Sequence, residues 1–211
     1  MEKSDIRKEI KELINKNIST LARQSRMICK KIIESEEYKN ASEIYAYMAL
    51  SDEVDLCEVI KTALQDEKKV ALPKIISKEN GIMQFFYLDS QKALAQQTSN
   101  GAYGIPEPDE NLPAAPDPAL KTLILVPGRA FTKDGDRLGR GKGYYDRFLA
   151  NGLGMGPFES LRDPEHRLRD HGHRLRDHGN VTIAGVCFDF QIKKSLPVND
   201  RDVKMDVVYT T

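Results

Sequence analysis

Residues 120–127, LKTLILVP, restrict the fold more than any other stretch. An apolar run of that length, closed by proline and glycine, is the pattern of a strand buried on both faces. Such strands belong to parallel sheets covered by helices. The covering is present on either side. Ile6, Ile10, Leu13, Ile14 and Ile18 recur at helical spacing, with Ser4 or Asp5 placed to cap the start. A second helix is expected from Ser19 or Thr20, carrying Leu21, Ile28 and Ile32 inward and ending near Glu36 and Glu37. A third follows Asp55 and Glu58, which stand at cap and N3 spacing, with Leu56, Val59, Ile60, Ala63 and Leu64 on its apolar side.

Between the helices lie further strand-like runs. These are residues 43–50 (EIYAYMAL), 68–75 (KKVALPKI, expected to stop near Pro73), 82–88, 181–188 and 205–210. Residues 98–118 are dense in glycine and proline and read as loop. Alternating strands and helices over 211 residues specify one α/β domain.

Charge sets limits on function. There are 32 basic and 32 acidic residues, so no global field draws the chain to nucleic acid or an anionic membrane. A small ligand is the expected partner. Cys29, Cys57 and Cys187 are odd in number and widely spaced, unlike a disulfide framework or a thiolate zinc site. With no apolar leader at the N-terminus, the expectation is a soluble, cytoplasmic monomer. Residues 1–40 nonetheless hold ten Lys/Arg against seven Asp/Glu.

One segment breaks the rhythm. HRLRDHG at 166–172 is repeated verbatim at 173–179, so residues 160–179 read as a repeat-containing insertion within a low-complexity loop near 151–179. All four histidines, His166, His171, His173 and His178, lie in it. Tracts of this kind bind metals weakly and without a fixed geometry, so a solvated loop is the better reading. Elsewhere the chain has no histidine, which leaves no base for a Ser-His-Asp or Cys-His scheme.

Chemistry concentrates after the apolar strand, in VPGRAFTKDGDRLGRGKGYYDRFL. Gly139, Gly141 and Gly143 let backbone N–H groups approach phosphate oxygens, and the helix expected from Tyr144 adds its positive end. Arg137, Arg140 and Lys142 supply side-chain cations. The spacing is neither a Walker A loop nor a Rossmann fingerprint, and glycine spacing alone denotes only a turn. Taken individually, Tyr144 or Tyr145 fits a core position, and Asp146 fits a pair with Arg147 or a helix cap.

The whole string GDRLGRGKGYYDRFL behind VPG resembles the signature of the 5-formyltetrahydrofolate cyclo-ligase family, also called 5,10-methenyltetrahydrofolate synthetases. The resemblance implies a Rossmann-like α/β fold of the kind shared with sugar-phosphate isomerases and CoA transferases, with a mostly parallel central sheet flanked by helices. It implies ATP binding by Lys3, Arg7 and the run Arg137, Leu138, Gly139, Arg140, Gly141, Lys142, Gly143, Tyr144 and Tyr145. Folate, with or without a polyglutamate tail, would meet Met48, Glu53, Arg140 and Tyr144. Mg2+ would sit on Asp146 and Asp189, and Lys142, Arg140 and Tyr144 would act in catalysis. Two departures stand out: the family usually has an aliphatic residue where this chain has Arg129, and many bacterial members have His-Asp where it has Arg201-Asp202. Competing readings are a non-catalytic binder of nucleotide, folate or RNA, and a phosphate-loop isomerase or transferase that uses neither ATP nor magnesium.

Overall fold

The computed structural model describes residues 2–119, 121–152, 181–197, 199 and 202–211. Its centre is a six-stranded sheet formed by β1 (Glu43–Tyr45), β2 (Lys69–Ser77), β3 (Ile82–Tyr87), β6 (Thr122–Pro127), β9 (Val181–Val186) and β11 (Val207–Tyr209). The spatial order is β11-β9-β6-β1-β2-β3, and every neighbouring pair is parallel except β2 with β3. From β1 the chain builds outward to one edge through β2 and β3. It then returns on the other side of β1 with β6, β9 and β11. The crevice between the carboxyl ends of β1 and β6 is therefore the switch point at which sheets of this type receive ligands.

Alternation along the strands separates two cores. Ile44, Leu72, Leu123, Leu125 and Val186 face α1 (Lys3–Asn17), α2 (Leu21–Glu34) and α4 (Cys57–Gln65), meeting Ile10, Ile28 and Ile60 there. Tyr45, Ile124, Val126 and Ile183 face the other way, toward Phe131 and Leu149. Each wholly buried isoleucine in α1 or α2 stabilises by roughly 2 kcal/mol on leaving water, which is why helical spacing of isoleucine was a sound guide to these elements.

Several boundaries differ from expectation for identifiable reasons. Glu2, two residues earlier than the expected Ser4, precedes α1, and its N–H donates to Asp5 Oδ2 at 3.2 Å. α2 begins at Leu21 after a short 3-10 turn and stops at Glu34, because Ser35 Oγ accepts from Tyr38 N and starts a separate helix, α3 (Glu36–Asn40). α4 starts at Cys57, with Asp55 accepting from Cys57 N at 2.9 Å. Pro73 does not end β2. Its ladder with β1 finishes at Ala71, so beyond that point no strand on that side asks for the missing N–H.

The glycine- and proline-rich stretch contains a small hairpin of β4 (Thr98–Asn100) and β5 (Pro106–Pro108). A further three-stranded sheet joins β7 (Ala130–Thr132), β8 (Arg137–Leu138) and β10 (Ile192–Lys193), in the order β10-β7-β8. α5 (Tyr144–Gly152) follows. Residues 153–179 of the expected insertion, with all four histidines, lie outside the described residues.

Candidate active site

The carboxyl ends of β1 and β6 open into a cavity of about 340 Å3 whose exposed lining is mainly apolar. One wall is the chain beyond β1, including Tyr47, Met48 and Glu53. A second is the glycine turn and the first turn of α5. A third comes from β2, β3 and the β4–β5 hairpin, with Ile75, Met83 and Ile105. Met48 and Glu53 thus meet Arg137, Arg140, Lys142, Tyr144 and Tyr145 across one space, although 80 or more positions separate them in sequence.

Arg137 anchors the cation wall. It lies on β8, ahead of the glycine turn, with only 4% of its side chain exposed. One guanidinium nitrogen donates to Asp146 Oδ1 at 2.5 Å, another donates to the Pro127 carbonyl at 3.2 Å, and the group lies 5.9 Å from the Tyr145 ring. Asp146 therefore pairs backward with Arg137, not with Arg147. Arg147 instead donates to the carbonyls of Gly81 and Lys142 and stacks over Tyr144. Leu138 turns into the core at 2% exposure, and its carbonyl accepts from Arg129 N at 2.7 Å.

The loop's left-handed positions fall on Gly141 (φ 100°) and Gly143 (φ 69°), angles that side chains with a Cβ seldom adopt. From the other end of the sequence, Arg7 on α1 donates to the Gly139 carbonyl at 2.9 Å, so the basic first helix docks on the turn. Lys3, one helical turn earlier, is held by Asp202 at 2.8 Å. The Lys142 ammonium extends into solvent with no hydrogen bond or ion pair among the described residues.

Arg140 bridges to the opposite wall. Its Nε donates to Glu53 Oε1 at 2.8 Å, and a terminal nitrogen donates to Asp52 Oδ1. Arg129 reaches the second oxygen of Asp52 at 2.7 Å, which gives that unusual residue a place in the site. Burial would raise the Asp52 carboxyl, but Arg140 and Arg129 together hold it below its ordinary 3.8. A carboxylate with a depressed pKa stabilises the fold at pH values above its unfolded pKa, and that contribution disappears as pH falls through the folded value. Asp52→Asn is therefore expected to lower stability at pH 7 and to narrow the gap between pH 7 and pH 3. Urea denaturation of both proteins at the two pH values checks this; equal pH sensitivity would refute it.

Some buried polar atoms facing this space are unmet. The hydroxyls of Tyr47 and Tyr145 and the Nε of Arg137 have no hydrogen-bond partner among the described residues. Burial, followed by the charge of Glu53, pushes both phenols well above the usual tyrosine range, so they remain O–H donors at neutral pH. Both tyrosines of the expected core-or-site pair line the cavity, because the first turn of α5 forms its wall. Asp189 follows β9 at the same end of the sheet; it is exposed, and its Oδ1 accepts from Phe190 N at 2.7 Å. Among the described residues no cluster of three or more His, Cys, Asp or Glu side chains could hold a metal, and no helix is long and apolar enough to cross a membrane.

Comparison with known proteins gives a consistent result. Residues 1–158 match the model of the 5-formyltetrahydrofolate cyclo-ligase family. The 5-formyltetrahydrofolate cyclo-ligase of Mus musculus is 30% identical over 212 residues, spanning 98% of this chain and 92% of that protein. A probable 5-formyltetrahydrofolate cyclo-ligase of Caenorhabditis elegans is 30% identical over 209 residues, spanning 98% and 91%. The 5,10-methenyltetrahydrofolate synthetase structure from Aquifex aeolicus superposes with a TM-score of 0.69 at 27% identity, covering 100% of this chain and 90% of that one. The Mycoplasma pneumoniae synthetase, at 19% identity and a TM-score of 0.62 over 99% and 98%, shares the fold.

Proposed function

The chain belongs to the 5-formyltetrahydrofolate cyclo-ligase family, and on that premise we propose that it converts 5-formyltetrahydrofolate to 5,10-methenyltetrahydrofolate with ATP as co-substrate. The observation that carries the reading is the two-sided cavity. β8 and the glycine turn after it present Arg137, Arg140 and Lys142 to a polyanion, while the space beside them is apolar and aromatic, suited to a flat heterocycle.

The reaction needs an oxygen made into a leaving group. The γ-phosphoryl of ATP passes to the formyl oxygen, releasing ADP; N10 of the folate then attacks the activated carbon, and phosphate departs with that oxygen as the ring closes. Phosphoryl transfer demands positioning and charge neutralisation more than covalent help. Arg137, fixed by Asp146 and Pro127, is a rigid donor with Nε still to be satisfied. Lys142 is a mobile cation. Arg140 exchanges its carboxylate partners for phosphate or stays to hold the folate-side wall. Arg7 steadies the turn through Gly139, and Lys3 stands one turn away. Tyr144 lines the cavity from the first turn of α5, where it would pack on the substrate and help keep water out.

Carboxylate oxygen is the donor type magnesium takes, although Asp189 is not among the residues lining the cavity. Asp146 lines the cavity with only its Oδ1 engaged among the described residues, and Asp189 is open to solvent at the same end of the sheet. Two carboxylates without a closed cage suit an ion that also keeps phosphate oxygens and waters. These two residues would hold Mg2+, which supplies charge neutralisation on the phosphates.

Purified protein mixed with 5-formyltetrahydrofolate, ATP and Mg2+ is expected to generate the ultraviolet absorbance of the methenyl product, and omitting ATP should abolish it. Folded protein that forms no product would overturn the assignment.

A further inference from the structure

Three carboxylates border the cavity, and two already have strong donors. Glu53 accepts from Arg140 Nε at 2.8 Å on Oε1 and from Leu50 N at 3.0 Å on Oε2. Asp146 accepts from Arg137 at 2.5 Å. The third, Glu107 on β5, is only 8% exposed and has a single long contact, Ile75 N to Oε1 at 3.4 Å. Its Oε2 accepts no hydrogen bond among the described residues. A largely buried carboxylate with so few protein donors is placed to take donors from a ligand in the cavity.

The backbone fixes where that carboxylate points. A Cβ on Gly101 would stand 2.5 Å from Glu107 Oε2, so the absence of a side chain at 101 is what leaves the carboxylate its position. Ile75, Met83, Ile105 and Pro106 line the same cavity, and Arg137, Arg140 and Lys142 reach it from β8 and the glycine turn.

We propose that Glu107 is a specificity-determining residue that accepts the paired N3–H and 2-amino hydrogens of the substrate's pterin ring; this rests on the folate reading above. A 2-amino-4-oxo-pyrimidine edge presents two donors side by side, which a carboxylate receives as a bidentate, charge-assisted pair. ATP does not compete for this position. Adenine offers its amine beside ring acceptors, and phosphate is repelled by the carboxylate. The pterin therefore enters toward the β4–β5 hairpin, and the N5-formyl and N10 atoms extend from it toward Tyr144 and the glycine turn.

Equilibrium binding of 5-formyltetrahydrofolate, its 2-desamino analogue and ATP to the full chain tests the assignment. Glu107→Ala is expected to weaken 5-formyltetrahydrofolate on the order of 100-fold while ATP affinity stays within about twofold. Glu107→Gln, retaining one acceptor, should fall between. The 2-desamino analogue should bind wild type weakly and lose much less on Glu107→Ala. Gly101→Ala, which displaces the carboxylate without altering its chemistry, should also weaken the folate selectively. The assignment is overturned if Glu107→Ala leaves folate affinity unchanged, weakens ATP by the same factor, or penalises the analogue as much as the natural ligand. Wild-type protein that binds no folate would overturn the folate reading itself; wild type that binds and turns over beside an indistinguishable Glu107→Ala would overturn this inference alone.

Discussion

Replacing Arg137 with methionine should lower the free energy of unfolding by about 3–5 kcal/mol, the usual cost of removing one partner from a buried ion pair. The side chains of Arg137 and Asp146 are 4% and 20% exposed, so the abandoned carboxylate has little water to turn to. The Pro127 carbonyl also loses a donor, and the Tyr145 ring loses the cation beside it. A fall in the urea midpoint with an unchanged slope would register the loss. The double variant Arg137→Met, Asp146→Leu sharpens the result. An apolar pair of similar volume is expected to recover most of the stability but none of the turnover, because the cavity's buried donor and one proposed magnesium carboxylate are both absent. A single variant as stable as wild type would show that the pair contributes nothing to the fold.

Lys142→Ala should do the opposite. Its ammonium has no structural partner among the described residues, so stability is expected to stay within about 0.5 kcal/mol of wild type. Turnover, however, should fall by roughly 100- to 1000-fold, the scale seen when one preorganised donor to developing charge is removed. Steady-state kinetics over a range of ATP concentrations separates a loss in kcat from weaker ATP binding. Undiminished kcat/KM for ATP would remove Lys142 from the phosphate site. The contrast between Arg137 and Lys142, five residues apart, follows from burial: one cation also holds the fold together, and the other has no structural partner among the described residues.

The sheet was legible because its evidence is local. LILV at 123–126 alternates inward on both faces, and the isoleucines of α1 repeat at helical spacing. The glycine turn was legible as a turn for the same reason, with its left-handed positions falling on Gly141 and Gly143. Pairings across the chain were not. Nothing near Arg140 indicates that Asp52 and Glu53 hold it, and nothing near Asp146 favours Arg137 over the adjacent Arg147. Arg129, a departure within the motif, gains meaning only when Asp52 is brought within 2.7 Å. Glu107 gave no signal in the sequence, since PEP reads as loop; only its burial beside a cavity distinguishes it. Pro73 misled because a missing N–H matters only where a neighbouring strand would have received it.

The bond from Arg7 to the Gly139 carbonyl also has a temporal side. During synthesis Arg7 is added to the chain 132 residues before its acceptor, an interval on the order of ten seconds at usual elongation rates. A nascent chain can complete its early helices long before it can grip a nucleotide. On the proposed function, nucleotide affinity is a late-acquired property, and it would distinguish a finished chain from a stalled one whose helical content looks much the same.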